Sequence, residues 1–132
     1  MMSSAKFLAA AAVIVFAISF TKSATHSDRS GDAEVVAQLR KAGSDLSKPH
    51  PVEFFLYFPS KAAADRVSDK LNSMGFDVAV EPAAQGKLPW LAYATKSMVP
   101  ASAELERLRS VFDALSASEQ GEYDGWETPI VQ

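Results

Sequence analysis

The sequence predicts an α+β fold, a ferredoxin-like sandwich whose antiparallel sheet carries helices on one face. Three observations lead there. His50 to Phe58 alternates large apolar side chains with a second set in strand fashion. Stripes at helical spacing follow at Ala63, Val67, Leu71, and at Leu105, Leu108, Phe112, Leu115. The order of elements is α, β, α, β, β, α, whose inner βαββα lacks only a last strand to complete the split βαβ pattern.

The chain opens on FLAAAAVIVFAISF, an uninterrupted apolar run from Phe7 to Phe20 with Lys6 before it and Lys22 after it. Its fourteen residues match the core of a secretory signal and fall short of the roughly 20 that a spanning helix needs. Residues 1–23 therefore read as a signal peptide, or as an N-terminal hydrophobic helix retained as a membrane anchor, because Thr21 and Ser23 flank a lysine and make an irregular cleavage site. The amino terminus and Lys6 are nearly balanced by Lys22 and Arg29, so charge leaves the orientation of an anchor open. Residues 24–31 are polar and read as a linker, and residues 32–132 as one domain.

Within the domain, Asp32 is a candidate N-cap for a helix to Ala42 with Val35, Val36 and Leu39 on one stripe, and Gly43 supplies a left-handed stop. In the first strand, Val52, Phe54, Leu56 and Phe58 alternate with Glu53, Phe55 and Tyr57, and Pro59 ends the run. Ser60 caps a helix through Ser73, whose stripe extends to Met74 and which Gly75 closes. Phe76 to Val80 is a second strand, Pro82 to Lys87 a turn and Leu88 to Ser97 a third strand, so the last two form a hairpin. Pro100 and Ser102 start a final helix, which Gly121 stops before a tail.

Composition and motifs exclude several functions. Lys6 and Lys22 lie in the leader, which leaves 11 basic against 16 acidic groups in the rest of the chain. A sequence-independent grip on phosphates needs a net positive face, so nucleic acid is not the expected partner. No cysteine is present, which removes disulfides, thiolate nucleophiles and cysteine metal sites. Of the two histidines, His26 lies in the linker and His50 precedes a proline, and neither has a second histidine at ligand spacing. There is no GxSxG, P-loop, GxGxxG or HExxH motif, nor the DxDxDG loop of calcium sites. No catalytic residue, metal site or cofactor is assigned, and the chain reads as a binding protein rather than an enzyme.

The most distinctive segment is GEYDGWET at Gly121 to Thr128. Tyr123 and Trp126 have the size and polar handle of interface anchors, and the interleaved acids would steer a basic partner. The alternative is a tail that folds back over the sheet face or edge. Phe55 and Tyr57, joined by Tyr93 or Trp90 according to register, could instead stack RNA bases as aromatic sheet faces do, although the acidic balance and the lack of a basic-aromatic motif oppose this.

Five segments carry a family resemblance: DAEVVAQLRKAGSDLSKP at Asp32 to Pro49, VEFFLYFPS at Val52 to Ser60, Gly75 with Phe76, PWLAYATKSMVP at Pro89 to Pro100, and GEYDGWET. Together they resemble the RraB-like family, B-type regulators of ribonuclease E activity. The resemblance implies a ferredoxin-like, cytoplasmic domain that binds endoribonuclease E and lowers its activity without chemistry or a cofactor of its own. If the signature is also the contact surface, Tyr123, Asp124, Trp126 and Glu127 are the partner-binding residues. The apolar leader departs from that pattern, and it makes a membrane contact through residues 7–20, or an unrelated envelope role, the competing expectation.

Overall fold

A computed structural model of the chain describes residues 28–84 and 86–132. The apolar run at residues 7–20, expected as a signal or anchor, lies outside them, as does the first half of the expected linker. Among the described residues no helix is long and apolar enough to cross a membrane.

The elements run α1 (Asp28–Lys41), β1 (His50–Phe58), α2 (Lys61–Ser73), β2 (Asp77–Pro82), β3 (Trp90–Met98), α3 (Ser102–Ala117) and β4 (Glu122–Glu127). The strands form a four-stranded antiparallel sheet in the order β2-β3-β1-β4, so the fold is α+β. The hairpin is as expected: β2 and β3 pair antiparallel, with Ala79 opposite Tyr93 and Glu81 opposite Leu91.

Several boundaries fall where local chemistry puts them. The Ser60 hydroxyl accepts the Ala63 amide and caps α2. Gly43 and Gly75 take φ of +98° and +97° just past α1 and α2, the left-handed stops expected of them.

Four expectations need correction. Helix α1 begins at Asp28, so Asp28 to Gly31, read as linker, are helical and Asp32 is no N-cap. Its side chain is turned to the indole of Trp126 instead. The segment after α3 is a strand, because the edge of β1 offers a ladder that EYDGWE can complete. The left-handed residue after α3 is Gln120, at φ 57°, not Gly121. Gly121 is required for another reason: a Cβ there would collide with the Tyr57 carbonyl oxygen and the Phe58 ring. Met74 forms the C-cap of α2 and is exposed rather than part of the buried stripe.

The chain divides into two compact units. One contains Glu53–Lys96 and Arg107–Gly125. Its core is a triangle of edge-to-face rings, Phe54 on Phe76 at 5.6 Å, Phe54 on Phe112 at 4.9 Å and Phe76 on Phe112 at 5.5 Å. Each such pair adds about 0.5–1.5 kcal/mol beyond the area it buries. Ala63, Val67 and Leu71 of α2, Ala92 and Ala94 of β3, and Leu108 of α3 are buried with it. Arg66 reaches Glu119 through two hydrogen bonds of 3.0 and 2.8 Å and ties α2 to the turn before β4.

The other unit holds the described residues up to Val52, with Ser97–Glu106 and Trp126–Gln132. Its buried apolar side chains are Val35, Val36, Leu39, Val52, Leu105 and Trp126, and its buried polar ones include Asp32, Ser44, His50 and Thr128.

Candidate functional site

Strand β4 carries the four residues singled out in the sequence, and its alternation separates them. Tyr123 packs its ring on Phe112 at 5.1 Å, on the sheet face that holds the phenylalanine triangle. Asp124 is exposed and points to the opposite face with Glu122. Partial desolvation of its carboxyl, reinforced by the Glu122 charge, raises its pKa above the usual aspartate value. Trp126 is only 5% exposed, and its indole Nε1–H donates to the Asp32 carboxylate at 3.0 Å. Glu127 is half-buried. The aromatic pair is thus turned inward, and Asp124 is the most accessible of the four.

The sheet face opposite the phenylalanine triangle is a second constellation. On β1, Phe54 faces the triangle, so Glu53, Phe55 and Tyr57 face the other way. On β3, buried Ala92 and Ala94 leave Leu91, Tyr93 and Thr95 on that side. The Phe55 and Tyr93 rings meet there at 5.5 Å, tilted by 55°. The ring contact settles the choice left open by the sequence: Tyr93 joins Phe55, whereas Trp90, one residue from Leu91, alternates to the other face with Ala92.

Glu53 on this face escaped the sequence reading. It is 4% exposed, and burial raises its carboxyl pKa against the opposing pull of a hydrogen bond from the Tyr93 hydroxyl. Its Oε1 is buried with no hydrogen-bond partner. The signal was present in the pattern: Glu53 is the one charged residue within HPVEFFLYF.

A third arrangement was also missed. Ser44 Oγ lies 2.6 Å from His50 Nε2, a spacing at which a histidine can act as base towards a serine. His50 Nδ1 faces the Lys48 carbonyl at 2.8 Å, which assigns the ring proton to Nδ1 and makes Nε2 the acceptor of the Ser44 hydroxyl. The same Oγ accepts the Val131 amide at 2.9 Å. The hydroxyl is thereby held on both its donor and an acceptor side, and His50 is fully buried. Asp45 N donates to the Val131 carbonyl at 2.6 Å and Lys48 Nζ to the Gln132 carbonyl at 2.9 Å, so the pair acts as part of a clamp on the last residues. Among the described residues no group of three or more His, Asp or Glu is placed to hold a metal ion.

Compared with known families, residues 29–128 match the family described as regulator of ribonuclease activity B. The chain belongs to the RraB family. The matched span contains nearly all of α1, all four strands, and Thr128, whose hydroxyl donates to the Pro51 carbonyl at 3.1 Å. Membership places this RraB domain among regulators of ribonuclease activity. No curated protein matches the chain at a significant level.

Proposed function

We propose that this RraB domain is a non-catalytic, protein-binding regulator that lowers the activity of an endoribonuclease of the E type. The observation that carries this reading is the family match, which runs through the whole sheet and ends at Thr128. A ferredoxin-like sandwich is the architecture we assign to it. Chain order βαββαβ from β1 onward and spatial order β2-β3-β1-β4 both support that assignment.

For the contact surface we retain Tyr123, Asp124, Trp126 and Glu127, with different tasks. Tyr123 and Trp126 hold the edge strand in place through Phe112 and Asp32, and Asp124 presents charge to the partner. An acid at an interface rim speeds encounter with a basic partner and sets register.

Purified full-length chain, added to the ribonuclease and a structured RNA substrate, should slow cleavage and co-purify with the enzyme. An unchanged cleavage rate at saturating protein would remove the reading. Asp124→Lys should weaken co-purification while leaving the circular dichroism spectrum intact, and undiminished capture would remove Asp124 from the surface.

Residues 7–20 decide where such regulation takes place. We read them as a membrane tether or an export signal, against a cytoplasmic precedent for the family. Sequencing the mature N-terminus after cell fractionation separates these cases. A terminus near Ala24 in an exported fraction rules out contact with a cytoplasmic nuclease, and Met1 retained in the membrane fraction supports a tether.

A further inference from the structure

Three features of the sheet face around Glu53 point to the same kind of visitor. Glu53 is 4% exposed, yet its Oε1 has no hydrogen-bond partner, while the Tyr93 hydroxyl serves the carboxylate. A buried acceptor left without a donor costs about 1–3 kcal/mol, so the free domain keeps an unfilled demand for an N–H at this point. Beside it stand the Phe55 and Tyr93 rings, both only half-buried, at 5.5 Å. On the same face lie Glu81, paired with Leu91, and the neighbouring carboxylates Glu122 and Asp124 on β4. Lys87 approaches Glu122 at 3.8 Å, with both ends largely exposed.

We propose that this face is the docking site for an arginine-bearing segment of a protein partner, the guanidinium received by the Glu53 carboxylate beside the Phe55 and Tyr93 ring pair. The proposal rests on reading the domain as a protein-binding regulator and adds the chemistry of what it binds. Guanidinium is the group that fits all three features. It brings several N–H donors in one plane, it stacks on aromatic faces, and it is more weakly hydrated than ammonium, so burial beside Glu53 costs it less. The acids around the rings attract cations and repel phosphates, which sets this face against RNA even though its aromatics resemble a base-stacking platform. Because Glu53 is buried in the free domain, docking includes a rotamer change that opens its carboxylate to the partner, a common event at interfaces.

The test uses the full-length chain and three fluorescent probes: a peptide alternating arginine and serine, its lysine counterpart, and single-stranded oligouridylate. Anisotropy at low and at physiological salt should show the arginine peptide binding more tightly than the lysine one, and both more tightly than the RNA. Glu53→Gln keeps the shape and should weaken the arginine peptide by at least about tenfold, the scale for removing one partner of a buried charge pair. Phe55→Leu keeps volume without the ring and should reduce the preference for arginine over lysine. Asp69→Asn, which removes the same charge from the exposed side of α2, is the control and should change little. Equal binding by the wild type and Glu53→Gln, an equal loss in Asp69→Asn, or preference for the RNA would overturn the proposal. The ribonuclease assay separates it from the underlying reading. If wild type and Glu53→Gln slow the nuclease equally, the regulator stands and this site falls. If the nuclease ignores the wild type while Glu53→Gln still loses the peptide, the site stands and the regulator reading falls.

Discussion

The indole of Trp126 donates its N–H to the carboxylate of Asp32, 94 residues earlier in the chain, at 3.0 Å and out of contact with water. This bond joins the end of β4 to the first turns of α1 within one compact unit. Hydrogen bonds to charged groups contribute about 1.5–3 kcal/mol each. Trp126→Phe should therefore lower the free energy of unfolding by about 1.5–3 kcal/mol, and Trp126→Ala by about 3–5 kcal/mol as packing is also lost. A double-mutant cycle with Asp32→Ala in urea should return a coupling of about 0.5–3 kcal/mol. Additive effects would show that the bond contributes nothing.

Glu53 predicts an unusual dependence of stability on pH. Burial raises its folded pKa above the ordinary value of 4.5. Above that raised value the carboxylate is charged in both states, and the folded state bears the cost of burying it. Between the two values the folded state binds more protons than the unfolded one. Stability from this group is therefore gained as pH falls from the raised value to 4.5 and lost as pH rises through the same window. Glu53→Gln should be more stable than the wild type at neutral pH, by about 1 kcal/mol, and the advantage should shrink on approach to pH 4.5. Melting curves across that range will show it, and a Glu53→Gln protein less stable at neutral pH would refute the account.

Gly121 and Gly31 make a matched pair. A Cβ at Gly121 meets the Tyr57 carbonyl and the Phe58 ring, whereas one at Gly31 meets no atom within 4 Å. Gly121→Ala should destabilise by about 1–3 kcal/mol through overpacking. Gly31→Ala lies within α1 and should be neutral or stabilising by up to about 1 kcal/mol. Chemical denaturation of the two variants side by side tests the close approach of β4 to β1.

Removing the Ser44 hydroxyl takes the donor from His50 Nε2 and the acceptor from the Val131 amide at once. Ser44→Ala should cost about 1–3 kcal/mol and accelerate hydrogen exchange at the amides of Val131 and Asp45, which meet in the same clamp. Unchanged protection at both positions would show that the clamp is held by other contacts.

What was legible in the sequence followed the range of the forces involved. Strand β1 spans the expected His50–Phe58 because its large side chains alternate without interruption, a local signal. Ser60 caps α2 for the same reason, since cap and helix are adjacent. Strand β4 was hidden: EYDGWE has acids on one side and a glycine within it, and it becomes a strand only because the edge of β1 stands open to it. Residues Asp28 to Gly31 have linker composition and are helical all the same. The signature residues were visible from the start, but that Tyr123 and Trp126 turn inward depends on Phe112 and Asp32, which the chain brings back from far away. Ser44 and His50 are only six residues apart, yet their meeting depends on the path of the loop between them.

Strand β4, at one margin of the sheet, places Glu122 and Asp124 side by side along an outer rail. Two copies that tried to extend their sheets through this rail in antiparallel fashion would bring carboxylates face to face. The domain is therefore guarded at neutral pH against fusing into a continuous ribbon. Because Asp124 holds its proton more readily than an ordinary aspartate, that guard weakens on acidification, and colloidal stability should decline with it.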